Sequence, residues 1–228
     1  LSTMPVMYAT NKAPYFCDYV MKDLQKLGFS EDEIVNGGYK VVTTLNYKAQ
    51  VKANEAIIKN LNAWGLNRDK NQAAVFSFSP IDGRILVYAG GKDYTKSQYD
   101  RVTQSARPSG SAFKPFIYTA AIEKGYSPND MIDDLPFRAG DWTPKNYGNK
   151  YRGPIPLYTA LMVSSNVCTA RLMESVGVRA VIQLARVMGI TTPIPYDYTI
   201  SLGSNSVKLF EMTRAYGVFA NGGFKVEP

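Results

Sequence analysis

The sequence predicts an α+β protein. Helical stripes of apolar residues bracket a pair of short β-prone runs joined by a tight turn, and a second group of helical stripes fills the later part of the chain. Composition agrees: of 228 residues, 45% are hydrophobic and 20% charged, ordinary values for a chain that buries a core. The length slightly exceeds a typical single domain, so one large domain and a domain with an appended module both fit.

The elements follow in order. Residues 14–27 carry Phe16, Val20, Leu24 and Leu27 at helical spacing and are stopped by Gly28, while Ser30-Glu31-Asp32-Glu33 offers a second helix start. After the turn signal Asn36-Gly37-Gly38, residues 39–45 read as a strand and residues 48–64 as an amphipathic helix ending near Gly65. Residues 1–70 therefore form a small mixed module. Residues 73–78 and 85–89 are β-prone runs joined by a Pro and Asp-Gly connection, a hairpin signal. A polar segment, residues 90–110, leads to a helix beginning near Ser111, whose face of Phe116, Ile117, Ala120 and Ala121 is buried and which Gly125 ends. Residues 126–156, rich in Pro, Gly, Asn and Asp, read as an ordered surface excursion. Residues 157–163, 167–176, 179–188 and 207–220 are predicted helices.

The chain contains no histidine. Nucleophiles activated by imidazole are thereby excluded, as are most zinc sites, so serine chemistry would need lysine or a carboxylate as base. Ser111 and Lys114 have the spacing for it: residues three apart share a helix face, and Pro115 belongs to a first turn, which puts Ser111 at or just before a helix N-terminus. On spacing alone the preferred reading is a capping serine followed by a solvated lysine. Cys17 and Cys168 are too isolated for a disulfide framework or a metal site and read as small buried apolar residues. The net charge of +7 comes from 26 basic residues scattered singly, which fits a polyanionic wall, a membrane surface, a carboxylate substrate or plain solubility, and not a nucleic-acid arm. No stretch approaches the ~20 apolar residues that span a bilayer, and Leu1-Ser2-Thr3-Met4 does not begin a signal peptide.

A series of short segments, in shared order, resembles the class A penicillin-binding proteins. They are residues 39–45, Tyr-Lys-Val-Val-Thr-Thr-Leu; Gly90-Gly91-Lys92-Asp93-Tyr94; Ser111-Ala112-Phe113-Lys114-Pro115-Phe116; Pro144-Lys145-Asn146-Tyr147; Ala160-Leu161 running into Ser164-Ser165-Asn166; and Ala215-Tyr216 with Phe219-Ala220-Asn221-Gly222-Gly223. The resemblance implies the transpeptidase fold, which is serine β-lactamase-like, with an antiparallel sheet flanked by helices that is incomplete in this chain. It implies residues 1–70 as the linker module after a glycosyltransferase region and residues 71–228 as the N-terminal portion of the transpeptidase domain. It also implies Ser111 as acylated nucleophile, Lys114 as its proton acceptor, Ser164 as proton donor to the leaving group, and Asn166 as a ligand of the substrate amide that holds Lys114. Without the resemblance, Ser164 and Asn166 would read as caps of the helix near Val167. Ser127-Pro128-Asn129 has the same serine-x-asparagine form but lies in the excursion and reads as a turn with an asparagine helix start. Trp142 and Tyr147 are candidates for groove lining or for buried packing.

Two departures qualify the match. The family usually has Pro-Gly-Ser before the nucleophile where this chain has Ser109-Gly110-Ser111, and the family's Lys-Thr-Gly strand occurs nowhere in these residues. A truncated or partial chain is expected, and because that strand supplies an oxyanion donor worth about 10² to 10³ in rate, an impaired enzyme as well.

The implied partners are a peptidoglycan stem peptide ending in D-Ala-D-Ala, β-lactams and other cell-wall proteins, with no nucleic acid, cofactor or metal. The implied location is extracytoplasmic, with a parent protein anchored in the membrane outside this chain. Ordinary lysine is neutral to about one part in 10³ at pH 7, so a lysine base calls for a fall of roughly three pKa units. The competing functions are a β-lactamase-like hydrolase, against which the module of residues 1–70 argues, and a catalytically silent wall-assembly binding domain.

Overall fold

The computed structural model describes residues 11–66 and 68–228, so the reading of Leu1-Ser2-Thr3-Met4 lies outside the described residues. The chain forms two compact units, Leu1–Ser105 with Lys208–Pro228, and Ala106–Val207.

In the first unit, helix α1 (Pro14–Lys26) buries Tyr15 and Phe16. Helix α2 (Glu31–Asn36) starts on a capping box in which Ser30 and Glu33 each satisfy the other's backbone amide. Helix α3 (Tyr47–Ala63) starts on Asn46, whose side chain accepts from the Ala49 amide at 3.1 Å, and buries Gln50, Ile57 and Leu61. Strands β1 (Val75–Phe78) and β2 (Ile85–Ala89) form the expected antiparallel hairpin, Val75 opposite Ala89. Their aromatics Phe76, Phe78 and Tyr88 join Tyr15 and Phe16 in one core. The last helix of the chain, here called α8 (Leu209–Ala220), completes it with the Phe210 ring 5.0 Å from that of Phe76.

Two sequence readings are corrected here. Residues 39–45 form no strand: Thr44 Oγ1 and the Asn46 amide donate to the Ile85 and Leu86 carbonyls of β2, and Val42 is 84% exposed. A β-like alternation without a ladder partner stays an extended loop. Cys17 is exposed on α1, whereas Cys168 is buried as expected.

The second unit is mainly helical. Strand β3 (Ala106–Pro108) pairs with β6 (Ser206–Lys208) and leads into a 3₁₀ turn, Gly110–Phe113, that continues as α4 (Lys114–Glu123). Within the excursion, β4 (Met131–Asp134) pairs antiparallel with β5 (Gly153–Pro156), an arrangement the sequence reading did not foresee. Helices α5 (Leu157–Met162), α6 (Asn166–Val176) and α7 (Val178–Val187) follow. Phe113, Phe116, Ile117, Val167, Met173 and Val181 have no solvent exposure and make the core around which α4, α6 and α7 pack. The fold is α+β, with three two-stranded sheets among the described residues. Among the described residues no helix is long and apolar enough to cross a membrane.

Candidate active site

Ser111 sits in the 3₁₀ turn and is exposed, whereas Lys114, the first residue of α4, is 1% exposed. Pro115 occupies the first helical turn, where its missing amide proton costs nothing. The turn rests on the backbone ahead of β6: the Ser109 and Gly110 amides donate to the carbonyls of Asn205 and Gly203 at 3.0 and 2.9 Å. Gly203 has φ +71°, and a Cβ there would lie 2.0 Å from the Gly110 carbonyl oxygen, so only glycine permits this approach. The Ser109-Gly110 segment ahead of Ser111 is thus held by ordinary backbone hydrogen bonds.

The Lys114 amine is buried against the α5–α6 junction. Its Nζ lies 2.6 Å from the Ser164 carbonyl oxygen, 2.9 Å from Ser164 Oγ and 2.7 Å from Asn166 Oδ1. An ammonium has three protons, and these partners use all of them. Among the described residues no hydrogen bond joins Ser111 Oγ to Lys114, so helical spacing alone does not make the two meet. Burial pulls the Lys114 pKa down from 10.5 to about 8, a difference of about 3 kcal/mol between its charged and neutral forms. The nearby Cys168 acts in the opposite direction only as a thiolate, and burial pushes its own pKa up to about 11.

Backbone geometry explains how Ser164 reaches the amine. Helix α5 ends in a Schellman motif: the Ser165 amide donates to the Ala160 carbonyl at 2.9 Å and the Ser164 amide to that of Leu161 at 3.0 Å. Ser164 occupies the left-handed position that glycine usually takes, with φ +55°. A strained serine there places both its carbonyl and its hydroxyl at Lys114.

The helix cap is a different residue from those expected. Ser165 Oγ accepts from the Cys168 amide at 3.1 Å, and Asn166 is the first helical residue, which frees its side chain for Lys114 and for the Lys145 carbonyl at 2.8 Å.

Ser127, by contrast, forms an exposed turn through Asn129 and Asp130 and starts no helix. Tyr147 is 98% exposed, which excludes buried packing, and Trp142 is half-buried.

Three polar residues below the site carried no role in the sequence reading. Asp134, Asn146 and Ser165 are buried together, with Asp134 Oδ1 accepting from Asn146 Nδ2 at 2.6 Å and from Ser165 Oγ at 2.7 Å. Burial alone would raise the Asp134 pKa, but hydrogen bonds from Ser165, Asn146 and Arg152 hold it below the ordinary value. The available signal was Asn146 inside the Pro-Lys-Asn-Tyr segment.

The model of the penicillin-binding protein transpeptidase domain matches residues 73–228. The chain is 33% identical over 225 residues to penicillin-binding protein 2D of Bacillus subtilis, covering 95% of this chain and 32% of that protein. It is 36% identical over 175 residues to penicillin-binding protein 1A of Escherichia coli, covering 73% of this chain and 21% of that protein. The chain thus spans a third or less of the length of these two relatives. The solved structure of penicillin-binding protein PonA1 from Mycobacterium tuberculosis in complex with penicillin V superposes with a TM-score of 0.82 at 26% identity, over 92% of this chain and 58% of that one.

Proposed function

We propose, because this chain belongs to the penicillin-binding protein transpeptidase family, that Ser111, Lys114, Ser164 and Asn166 carry the acyl-transfer chemistry of a peptidoglycan D,D-transpeptidase. The observation that carries the reading is the buried Lys114 amine, held by Ser164 and Asn166 from 50 and 52 residues away. A capping serine with a solvated lysine would need none of this. Residues 1–70 are read as the linker module and residues 71–228 as the N-terminal portion of the transpeptidase domain, which the family match starting at residue 73 supports.

The proposed reaction begins with attack of Ser111 Oγ on the penultimate carbonyl of a stem peptide ending in D-Ala-D-Ala. The Oγ proton passes to the neutral Lys114 amine, and the C–O bond forms as the peptide C–N bond breaks. Neutral Lys114 keeps two protons, matching the two acceptor-only partners, the Ser164 carbonyl and Asn166 Oδ1, and turns its lone pair to Ser111 Oγ when substrate is bound. Ser164 gives its proton to the departing D-alanine nitrogen and regains one from Lys114, which restores the neutral amine. The amino group of a second stem peptide then resolves the ester. The contact between Ser111 and Lys114 forms on substrate binding, as catalytic hydrogen bonds commonly do.

A β-lactam acylates the same serine in this reading, in keeping with the penicillin V complex of the PonA1 relative. A substrate in the cell wall places the site outside the cytoplasm. The test is labelling of the full-length protein with a fluorescent penicillin, followed by mass mapping of the modified peptide. The adduct is expected on Ser111, persisting for many minutes, and absent from Ser111→Ala. Labelling that survives this substitution overturns the assignment, and an adduct lost within seconds indicates a hydrolase.

A further inference from the structure

The geometry points to Asn146 as a positioning residue that holds the amide of Asn166 with its oxygen toward Lys114. This rests on the reading of Lys114 as the base. Asn146 is 8% exposed and its side chain is saturated with hydrogen bonds. Its Oδ1 accepts from the backbone amides of Asn166 at 2.9 Å and Val167 at 3.1 Å. Its Nδ2 donates to Asp134 Oδ1 at 2.6 Å and to the Lys150 carbonyl at 2.9 Å. Backbone amides only donate and carbonyls only accept, so this side chain has one permitted orientation.

Asn166 is consequently gripped at both ends. Asn146 holds its backbone, and the carbonyl of the adjacent Lys145 takes a proton from Asn166 Nδ2 at 2.8 Å. Because that carbonyl cannot donate, the amide nitrogen must face it and Oδ1 must face the amine of Lys114. Releasing the segment at Asn146 frees the amide to rotate, which would set its NH₂ against the protons of Lys114. Asp134 anchors Asn146 from behind, and Arg152 closes the other side with its backbone amide 3.1 Å and its guanidinium 3.5 Å from Asp134 Oδ2. Of the titratable groups on the packed helices, Cys168 on α6 would raise the Lys114 midpoint only as a thiolate, and the other charged groups there are Arg171 and Glu174 on α6 and Arg179 and Arg186 on α7.

The test compares wild-type full-length protein with Asn146→Ala, measuring penicillin acylation from pH 6 to 10 and titrating Lys114 by ¹⁵N NMR. Loss of an oxygen acceptor disfavours the ammonium. The expected result is therefore a Lys114 midpoint lower by at least half a unit, with the plateau acylation rate down at least tenfold. A purely structural cap lowers thermal stability and leaves the midpoint where it was, so an unchanged or raised midpoint overturns the proposal. If the variant does not fold, hydrogen exchange of the Asn166 side-chain amide in the wild type decides: protected, separately resolved protons are expected, and rapid averaged exchange overturns it. The NMR readouts need no acylation, so a wild type that fails to label at Ser111 defeats the functional reading alone.

Discussion

Lys114 shows most directly what residue identity and environment each contribute. A lysine in water near pH 7 is an acid, and at this position burial moves its midpoint to about 8. The neutral form is the one that accepts a proton, so acylation of Ser111 should rise with pH about tenfold per unit below the midpoint and level off above it. Stopped-flow acylation by a chromogenic cephalosporin between pH 6 and 10 measures this directly. A flat profile over that range would exclude Lys114 as the base. Spacing singled out Ser111 and Lys114 together, although among the described residues no hydrogen bond joins them. The identity of the amine's partners was not legible, because three ammonium protons are shared out by segments more than 45 residues further along the chain. Spacing on one helix carries no information about them.

Among the elements, the helices and the β1–β2 hairpin were legible and the strands β3 to β6 were not, for a physical reason. The stripes of α1, α3 and α6 repeat over several turns, and the structure places these helices within a residue or two of the expected bounds, whereas α4 starts at Lys114, three residues after the expected Ser111, because a 3₁₀ turn precedes it. Strands β3 to β6 are three or four residues each, two of them contain proline, and their pairing is set by partners distant in sequence. The α5–α6 junction carries the sharpest consequence. Ser164 stands where a helix C-terminus prefers glycine, so Ser164→Gly should remove left-handed strain and hold or raise stability by up to about 1 kcal/mol. The same change deletes the hydroxyl at Lys114 and should slow acylation by 10²-fold or more. Thermal unfolding and acylation kinetics on one sample read both effects. A variant that loses stability and activity together would show that Ser164 holds the junction rather than serving the chemistry.

For the whole molecule, the first unit depends on closure over a long stretch of chain. Residues 208–228 return after the entire second unit to pack α8 against β1, a contact that no local pattern announces. Helix α8 was legible from its own periodicity, but its place in the core was not. Gly217 marks how tight that closure is, because a Cβ at this position would lie 2.6 Å from Phe78 Cζ. Phe78 is itself stacked with Phe76, ring centroids 6.0 Å apart, so it has little room to yield. Gly217→Val should therefore overpack the first core and cost about 1–3 kcal/mol, lowering the melting temperature by roughly 3–10 °C. Valine is also a better helix former than glycine, so a site with free space would respond with a higher melting temperature. The sign of the shift in a calorimetric scan thus decides whether α8 closes this core as tightly as the glycine contact indicates.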